Sequence, residues 1–381
     1  MTYRFSSVII RRAAAVAVPV VAAIAMVAPA AQAAPPARAA SHPAANTGWR
    51  ITRTFATKNL SLLDVTGFAN RSARAGGSSP AQLPVVYHLA GGTWTQASLP
   101  GSTGAFVTNL SATSTSNVWA GLANEPLVAR LTSTGWVTKS LAVGTDDVQP
   151  SGVVTTGPKN AWAFSHDFTT SQDFASHYNG SAWTATVLPA EPDGGSSVEL
   201  ESASGPGNIW SWAYNPTLKR DTTLHYDGHH WVTVGIPANL VPSNQSLDAE
   251  QILAESPVNV WATANNNQLS GSIILLHWKG RGWGRITGML PKAELAGPIA
   301  SDGHGGLWLE AYSAGTSSRK YFLEHYSGGK WTRYSLPASP FGPIALSAMH
   351  LIPGTRSVIA VGQLSPVFGT TKGSVILKYG P

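Results

Sequence analysis

The chain has 381 residues, of which 43% are hydrophobic, 9% aromatic and only 12% charged, with 38 Gly, 14 Trp and no Cys. Charge is well below the roughly 25% of an ordinary soluble domain, and the lack of cysteine excludes a disulfide scaffold and a lipid-modified N-terminal Cys. Short strands and tight turns suit this composition better than helices. The formal net charge is +6.

The first predicted element is a processing segment. Arg4, Arg11 and Arg12 form a basic start. Residues 13–30 are almost entirely Ala, Val, Ile and Pro, and Ala31-Gln32-Ala33 fits the small-residue cleavage rule. Residues 1–33 therefore read as a signal peptide, and the protein as secreted. An uncleaved membrane anchor is the alternative. The Arg11-Arg12 pair hints at twin-arginine export, without support from its neighbours. Removing this segment leaves 22 basic against 19 acidic residues, a net charge of +3. The remaining Lys and Arg are scattered, which argues against nucleic acid as a partner. Residues 34–47, rich in Ala, Pro and Ser, read as a disordered linker, and the folded part starts near Gly48.

Two motifs then alternate. The first is His-Tyr-x-Gly-x-x-Trp, in HLAGGTW (88–94), HYNGSAW (177–183), HYDGHHW (225–231), HWKGRGW (277–283) and HYSGGKW (325–331), with a worn copy RLTSTGW (130–136). The second is Asn-Val-Trp-Ala, at 117–120, 160–163, 208–211 and 259–262. Weaker copies are GLWL (306–309) and SVIA (357–360), and Arg74 stands where the first repeat should carry its Trp. The final Trp of the first motif falls at 49, 94, 136, 183, 231, 283 and 331, at intervals of 42 to 52 residues. That is about the length of one four-stranded propeller blade.

Within each unit the local chemistry supports four antiparallel strands. Alternating β-branched and aromatic residues dominate. Asn179-Gly180 and Asp227-Gly228 predict two-residue type I′ hairpins between strands three and four. The chain ends complement one another: SVILKYGP (374–381) stops before a fourth strand, and NTGWRITRTF (46–55) supplies one. The predicted fold is all-β, a seven-bladed β-propeller over 48–381, closed by an N-terminal strand that completes the C-terminal blade. Closure removes the exposed edges that invite aggregation.

The repeat resembles the kelch and galactose-oxidase type of propeller, where an aromatic in strand three and a Trp in strand four, followed by Leu-Pro, mark each blade. Paired glycines stand near a repeat at Gly76-Gly77 and Gly91-Gly92, but most blades lack the pair of that type at the end of strand two. The hairpin is more loosely similar to the Asp box of sialidases, because only Asp227 supplies the Asp. The resemblance implies that the strand two–three loops and the blade-to-blade connections share one face, and that function sits there. It specifies a fold and leaves the activity open.

The repeated His88, His177, His225, His277 and His325 read as packing and hydrogen-bonding residues, since one equivalent position per blade keeps them apart. The repeated Trp residues read as inter-blade packing. Trp212, beyond its motif, is the candidate for an exposed stacking platform. The loop-face candidates for ligand contact are His166, Asp167, Trp212, Tyr214, Arg220, Asn265, Asn266, Asn267, Tyr312 and Arg319. For catalysis the suggestive pair is Glu199 and Glu250, each eleven residues before its blade's strand-two Trp; paired carboxylates could do acid–base work on a glycan. No phosphate loop, zinc motif, EF-hand loop or nucleophile elbow occurs, so no cofactor or metal is expected.

The leading expectation is a monomeric, non-enzymatic binding propeller that holds a glycan, a cell-envelope component or a protein, with no membrane span after cleavage. A carbohydrate-active hydrolase or lyase using Glu199 and Glu250 is one alternative. A structural envelope protein without a discrete ligand is another.

Overall fold

Short apolar alternation between polar turns gives 28 strands and no helix among the described residues. The structure is a computed structural model and describes residues 48–141, 148–189, 197–215, 220–241, 247–266, 272–288, 294–313, 319–365 and 371–380. The segments read as signal peptide and linker lie outside this set.

Strand β1 (Trp49–Phe55) is followed by blade one, with β2 (Ser61–Gly67), β3 (Ala73–Ser78), β4 (Pro84–Ala90) and β5 (Thr93–Ser98). Blade two has β6 (Phe106–Ser114), β7 (Asn117–Ala123), β8 (Leu127–Thr132) and β9 (Gly135–Ser140). Blade three has β10 (Val148–Gly157), β11 (Asn160–Asp167), β12 (Gln172–Tyr178) and β13 (Trp183–Val187). Blade four has β14 (Ser197–Gly205), β15 (Asn208–Asn215), β16 (Arg220–Tyr226) and β17 (Trp231–Gly235). Blade five has β18 (Asp248–Ser256), β19 (Asn259–Asn266), β20 (Ser272–Trp278) and β21 (Trp283–Ile286). Blade six has β22 (Glu294–Ser301), β23 (Leu307–Ser313), β24 (Tyr321–Ser327) and β25 (Lys330–Ser335). Blade seven has β26 (Ile344–Leu351), β27 (Val358–Leu364) and β28 (Gly373–Tyr379).

Blade seven takes its fourth strand from the other end of the chain. β1 pairs antiparallel with β28, from Trp49 opposite Tyr379 to Phe55 opposite Ser374. First strands of successive blades contact one another around the whole ring, and β26 meets β2. The predicted seven-bladed, end-closed propeller is therefore the observed fold. Burial grades outward: all of β7 is buried, while the outermost β5 is mostly exposed.

The repeated motif builds one packing unit per junction. In blade four, Asn208 Oδ1 accepts from Trp210 Nε1 (2.9 Å) and from His225 Nε2 (2.9 Å), and the His ring stacks on the indole at 4.2 Å. The same stack joins Trp162 to His177, Trp261 to His277 and Trp308 to His325. Burial lowers the pKa of His177, His225 and His277, the last to about 4. These imidazoles are neutral and use Nε2–H as a donor to Asn160, Asn208 and Asn259. Each strand-two Trp then packs against the next blade's aromatics, as Trp162 does on Tyr226 and Trp231.

The hairpins differ from expectation. Gly180 and Gly228 have positive φ, but Asn179 and Asp227 do not. Both loops hold four residues, between Tyr178 and Trp183 and between Tyr226 and Trp231. The Asn179 and Asp227 side chains accept from backbone N–H groups two and three residues on, so the Asx side chain organises the turn. The two-residue loops with two positive-φ residues occur instead at Gly91-Gly92 and Gly328-Gly329.

Every first strand carries a β-bulge or irregularity near its start, at Leu62/Asp64, Val107/Asn109, Pro150/Gly152, Val198/Leu200, Ala249/Gln251, Ala296/Ile299 and Leu346/Ala348. Beyond it, the free edge facing the axis is capped by side chains of the preceding blade. Asp64 accepts from Leu110 N (2.6 Å), Asn109 from Val153 N (3.0 Å) and Gln251 from Ile299 N (2.7 Å). Ser111 accepts from Thr155 N, Ser202 from Ala254 N and His350 Nδ1 from Gly67 N. Buried backbone donors are costly when unmet, and these cross-blade bonds meet them.

Candidate loop-face site between blades five and six

The structure scatters the predicted ligand residues and joins a subset. Trp212 is not a platform. It is 0% exposed, sits in the blade four–five core, and its Nε1 donates to Asp221 (2.9 Å). Trp210 is buried, and a residue two further along a strand shares its face. Asn265 and Asn266 are buried rather than presented to a ligand. Asn265 binds backbone across the blade junction, accepting from Ala296 N (2.8 Å). Asp167 is buried and caps its own loop through Thr169 and Thr170 N–H. His166 pairs with Asp173 at 2.7 Å and lies edge-on to Phe168, itself 40% exposed.

Tyr214 stands opposite Ser197 and Asp221, and Arg220 opposite Asn215, at the loop end of blade four. Glu199 occupies the β14 bulge between Val198 and Leu200. Asn267 lies outside the described residues. Glu250 occupies the equivalent β18 bulge, between Ala249 and Gln251. Both glutamates thus occupy a position whose geometry every blade repeats.

Glu250, Asn265, Tyr312 and Arg319 do converge, at the loop end of the junction between blades five and six. Glu250 Oε1 accepts from Asn265 Nδ2 at 2.7 Å. Tyr312, at the end of β23, faces Tyr321, at the start of β24, with ring centroids 5.4 Å apart. The Arg319 guanidinium lies 5.4 Å above the Tyr312 ring and hydrogen-bonds Tyr321. Burial, with Glu250 next, pushes the Tyr312 phenol well above its ordinary value, and burial raises Tyr321. Both phenols are therefore protonated donors at neutral pH. Beneath them Glu310, 1% exposed, accepts from Leu346 N at 2.7 Å. Gly297 makes room for it, since a Cβ there would meet Glu310 Oε2 at 2.5 Å. Tyr321 carried no repeat signal; its place opposite Tyr312 across the strand two–three loop is the feature that could have found it.

A second carboxyl departs from ordinary behaviour. Glu201 in β14 accepts from Ser151 Oγ of blade three, and Gly152 leaves it space. The side chain keeps some solvent exposure along the axis but is surrounded by protein, and burial raises its pKa to about 7, against the Ser151 hydrogen bond. Glu201 belongs to the ring of first strands. Among the described residues no three His, Asp or Glu converge as metal ligands would.

No family model matches this chain, and no curated protein does. The kelch and galactose-oxidase likeness thus rests on the repeat residues alone. Solved structures do match in fold. A YCF48 structure bound to D1 peptide aligns with TM-score 0.61 and 13% identity, covering 88% of this chain and 96% of that one. YCF48 from Cyanidioschyzon merolae gives 0.57 and 15%, covering 88% and 99%. Virginiamycin B lyase from Staphylococcus aureus, with quinupristin, gives 0.58 and 11%, covering 87% and 99%. At such identities the likeness establishes architecture alone: the chain shares the seven-bladed β-propeller fold with proteins as different as a peptide-bound factor and a lyase.

Proposed function

We propose that this chain is a secreted, non-enzymatic binding propeller, and that it holds a glycan of the cell envelope on its loop face, at the junction of blades five and six. The observation that supports this reading is the Tyr312–Tyr321–Arg319 surface backed by Glu250. Two protonated phenols, a guanidinium and a carboxylate offer both donors and acceptors beside an aromatic ring. A polyhydroxylated sugar ring needs that mixture: an apolar face to stack on and convergent polar groups for its hydroxyls. The rigid ring of blades pre-organises the surface, which lowers the ordering cost of binding. Peptides and proteins use similar surfaces, and one solved propeller of this fold is bound to a peptide.

A glycan array probed with residues 34–381, beside a peptide array, tests the reading. Glycan signal that falls about tenfold in Tyr312→Ala and Arg319→Ala supports it, each lost contact being worth about 1.4 kcal/mol. Glycan signal unchanged in both variants, or signal confined to peptides, overturns it.

Glu201 favours a second reading, a carbohydrate-active hydrolase or lyase. A carboxyl with pKa near 7 in a central channel is suited to proton transfer at neutral pH. That reading needs turnover of an envelope glycan that disappears in Glu201→Gln.

A further inference from the structure

We propose a second ligand site on the opposite, hairpin face, in the seam where blade seven meets blade one, specific for an anionic saccharide unit such as a uronate or a sugar phosphate. The seam holds a cavity of about 370 Å³, within the ordinary range of small-molecule pockets. Its walls include Arg53 of β1, Arg71 of the β2–β3 hairpin, Lys378 of β28, Trp94, Leu89 and Ile359.

The cavity exists because the repeat lapses at this junction. At five of the other six junctions a strand-two Trp fills the gap between blades, as Trp119 does against Tyr178 and Trp183, and Trp308 against Tyr379 and Trp49, and at the sixth Arg74 takes its place. Ile359 of SVIA occupies the Trp position, and Leu89 of HLAGGTW packs in the same cluster where five of the other six blades carry an aromatic. Lys378, opposite Ile359 in the ladder, takes the place of the stacking His. Small side chains leave a void, and three cations rim it.

The charge is one-sided. Arg50 stands opposite Lys378 on β1, and among the described residues no Asp or Glu lines the cavity. Burial pulls the Lys378 pKa down, and Arg50 and Arg71 add to it. Arg53 and Arg71, with Lys378 beside them, give a partly apolar hollow a positive potential, which favours a negative ligand. Arg71 has φ of 66°, in a region uncommon for non-glycine residues, and such strain clusters at ligand sites. Trp94, Leu89 and Ile359 give the cavity an apolar wall, which a bare inorganic anion would not use and a sugar ring would.

Calorimetric titration of residues 34–381 with glucuronic acid, glucose 6-phosphate, glucose and inorganic phosphate tests this. One or both anionic sugars should bind at least about tenfold more tightly than glucose and phosphate. Their ranking separates carboxylate from phosphate sources. Ile359→Trp restores the repeat residue and fills the cavity. It should abolish binding without lowering the melting temperature, while Arg71→Gln should weaken binding about tenfold. Tyr312→Ala should leave it unchanged, which separates this site from the loop face. No preference for either anionic sugar over glucose overturns the proposal. Phosphate binding as tightly as the sugars, or full binding by folded Ile359→Trp, overturns it too. Where Ile359→Trp fails to fold, Arg71→Gln and Lys378→Gln decide: full binding by both overturns the site.

Discussion

Trp49 lies edge-on to Trp308, with ring centroids 5.4 Å apart and planes at 85°, although one residue opens the folded chain and the other belongs to blade six. Trp49 is 3% exposed in a core cluster that also holds Leu377 and Val358. Trp49→Ala should therefore cost about 3–5 kcal/mol, the range for a buried Trp. Deleting 49–55 should do more, because β28 becomes an open edge that pairs with other chains. Urea unfolding monitors the first effect and light scattering the second.

Trp212→Ala should lower stability by about 3–5 kcal/mol, because the indole is core and leaves Asp221 without its Nε1–H donor. Denaturant midpoints check this. A variant of wild-type stability that merely loses ligand binding would contradict the buried placement.

Glu201 should make stability fall as pH rises. Its folded pKa of about 7 lies above the unfolded value of 4.5, so the folded state holds the extra proton between those values. The penalty grows from pH 4.5 and is complete above pH 7. Glu201→Gln should then stabilise the protein by on the order of 2 kcal/mol at pH 8 and by little at pH 4. Parallel melting curves at the two pH values provide the check.

The half-buried histidines should act in the opposite sense. His277 and His350 titrate near 4 in the folded state because burial disfavours their charge, against 6.5 unfolded. Their contribution is full above pH 6.5 and is lost as pH falls towards 4. His277→Phe keeps a ring on Trp261 but loses the donor to Asn259. It should cost about 1–2 kcal/mol at pH 7 and flatten part of the acid limb of a stability–pH profile.

Gly152→Ala should be destabilising, since its Cβ would fall 2.3 Å from Glu201 Oε2. The clash is with the end of a side chain, so Glu201→Ala should rescue much of the loss. Coupling of about 1 kcal/mol or more in the double-mutant cycle checks this; additive effects would refute it.

The repeat was legible because Trp is rare and large. One Trp per strand four, with a His six residues before it in five of the seven blades, marks a blade even where neighbours drift. Turn type was harder to read, since Asn-Gly and Asp-Gly favour positive φ in isolation, while Asn179 and Asp227 spend their side chains on the loop's own N–H groups. Trp212 misled because its motif ends before it, although period-two alternation already placed it beside Trp210 on a buried face. The capping of first strands escaped notice for a different reason. Asp64, Asn109, Gln251, Ser111, Ser202 and His350 perform one task with five side-chain types, so no repeated letter marks them. Tyr312 and Arg319 were legible as unrepeated loop residues, and Glu250 as a carboxylate eleven residues before its blade's strand-two Trp. Their meeting with Tyr321 depends on the junction of two blades, which spacing along one chain does not reveal.

The pairing of β1 with β28 also sets an order of events. β1 is made before any blade, and its partner is made after all the others. During synthesis this strand has nothing to lie against while six blades form and stack beside it. Contacts of such long sequence separation are slow to find. The open intermediate therefore lasts at least until β28 emerges, with two unsatisfied sheet borders, and any helper that binds this protein in the making has its target there.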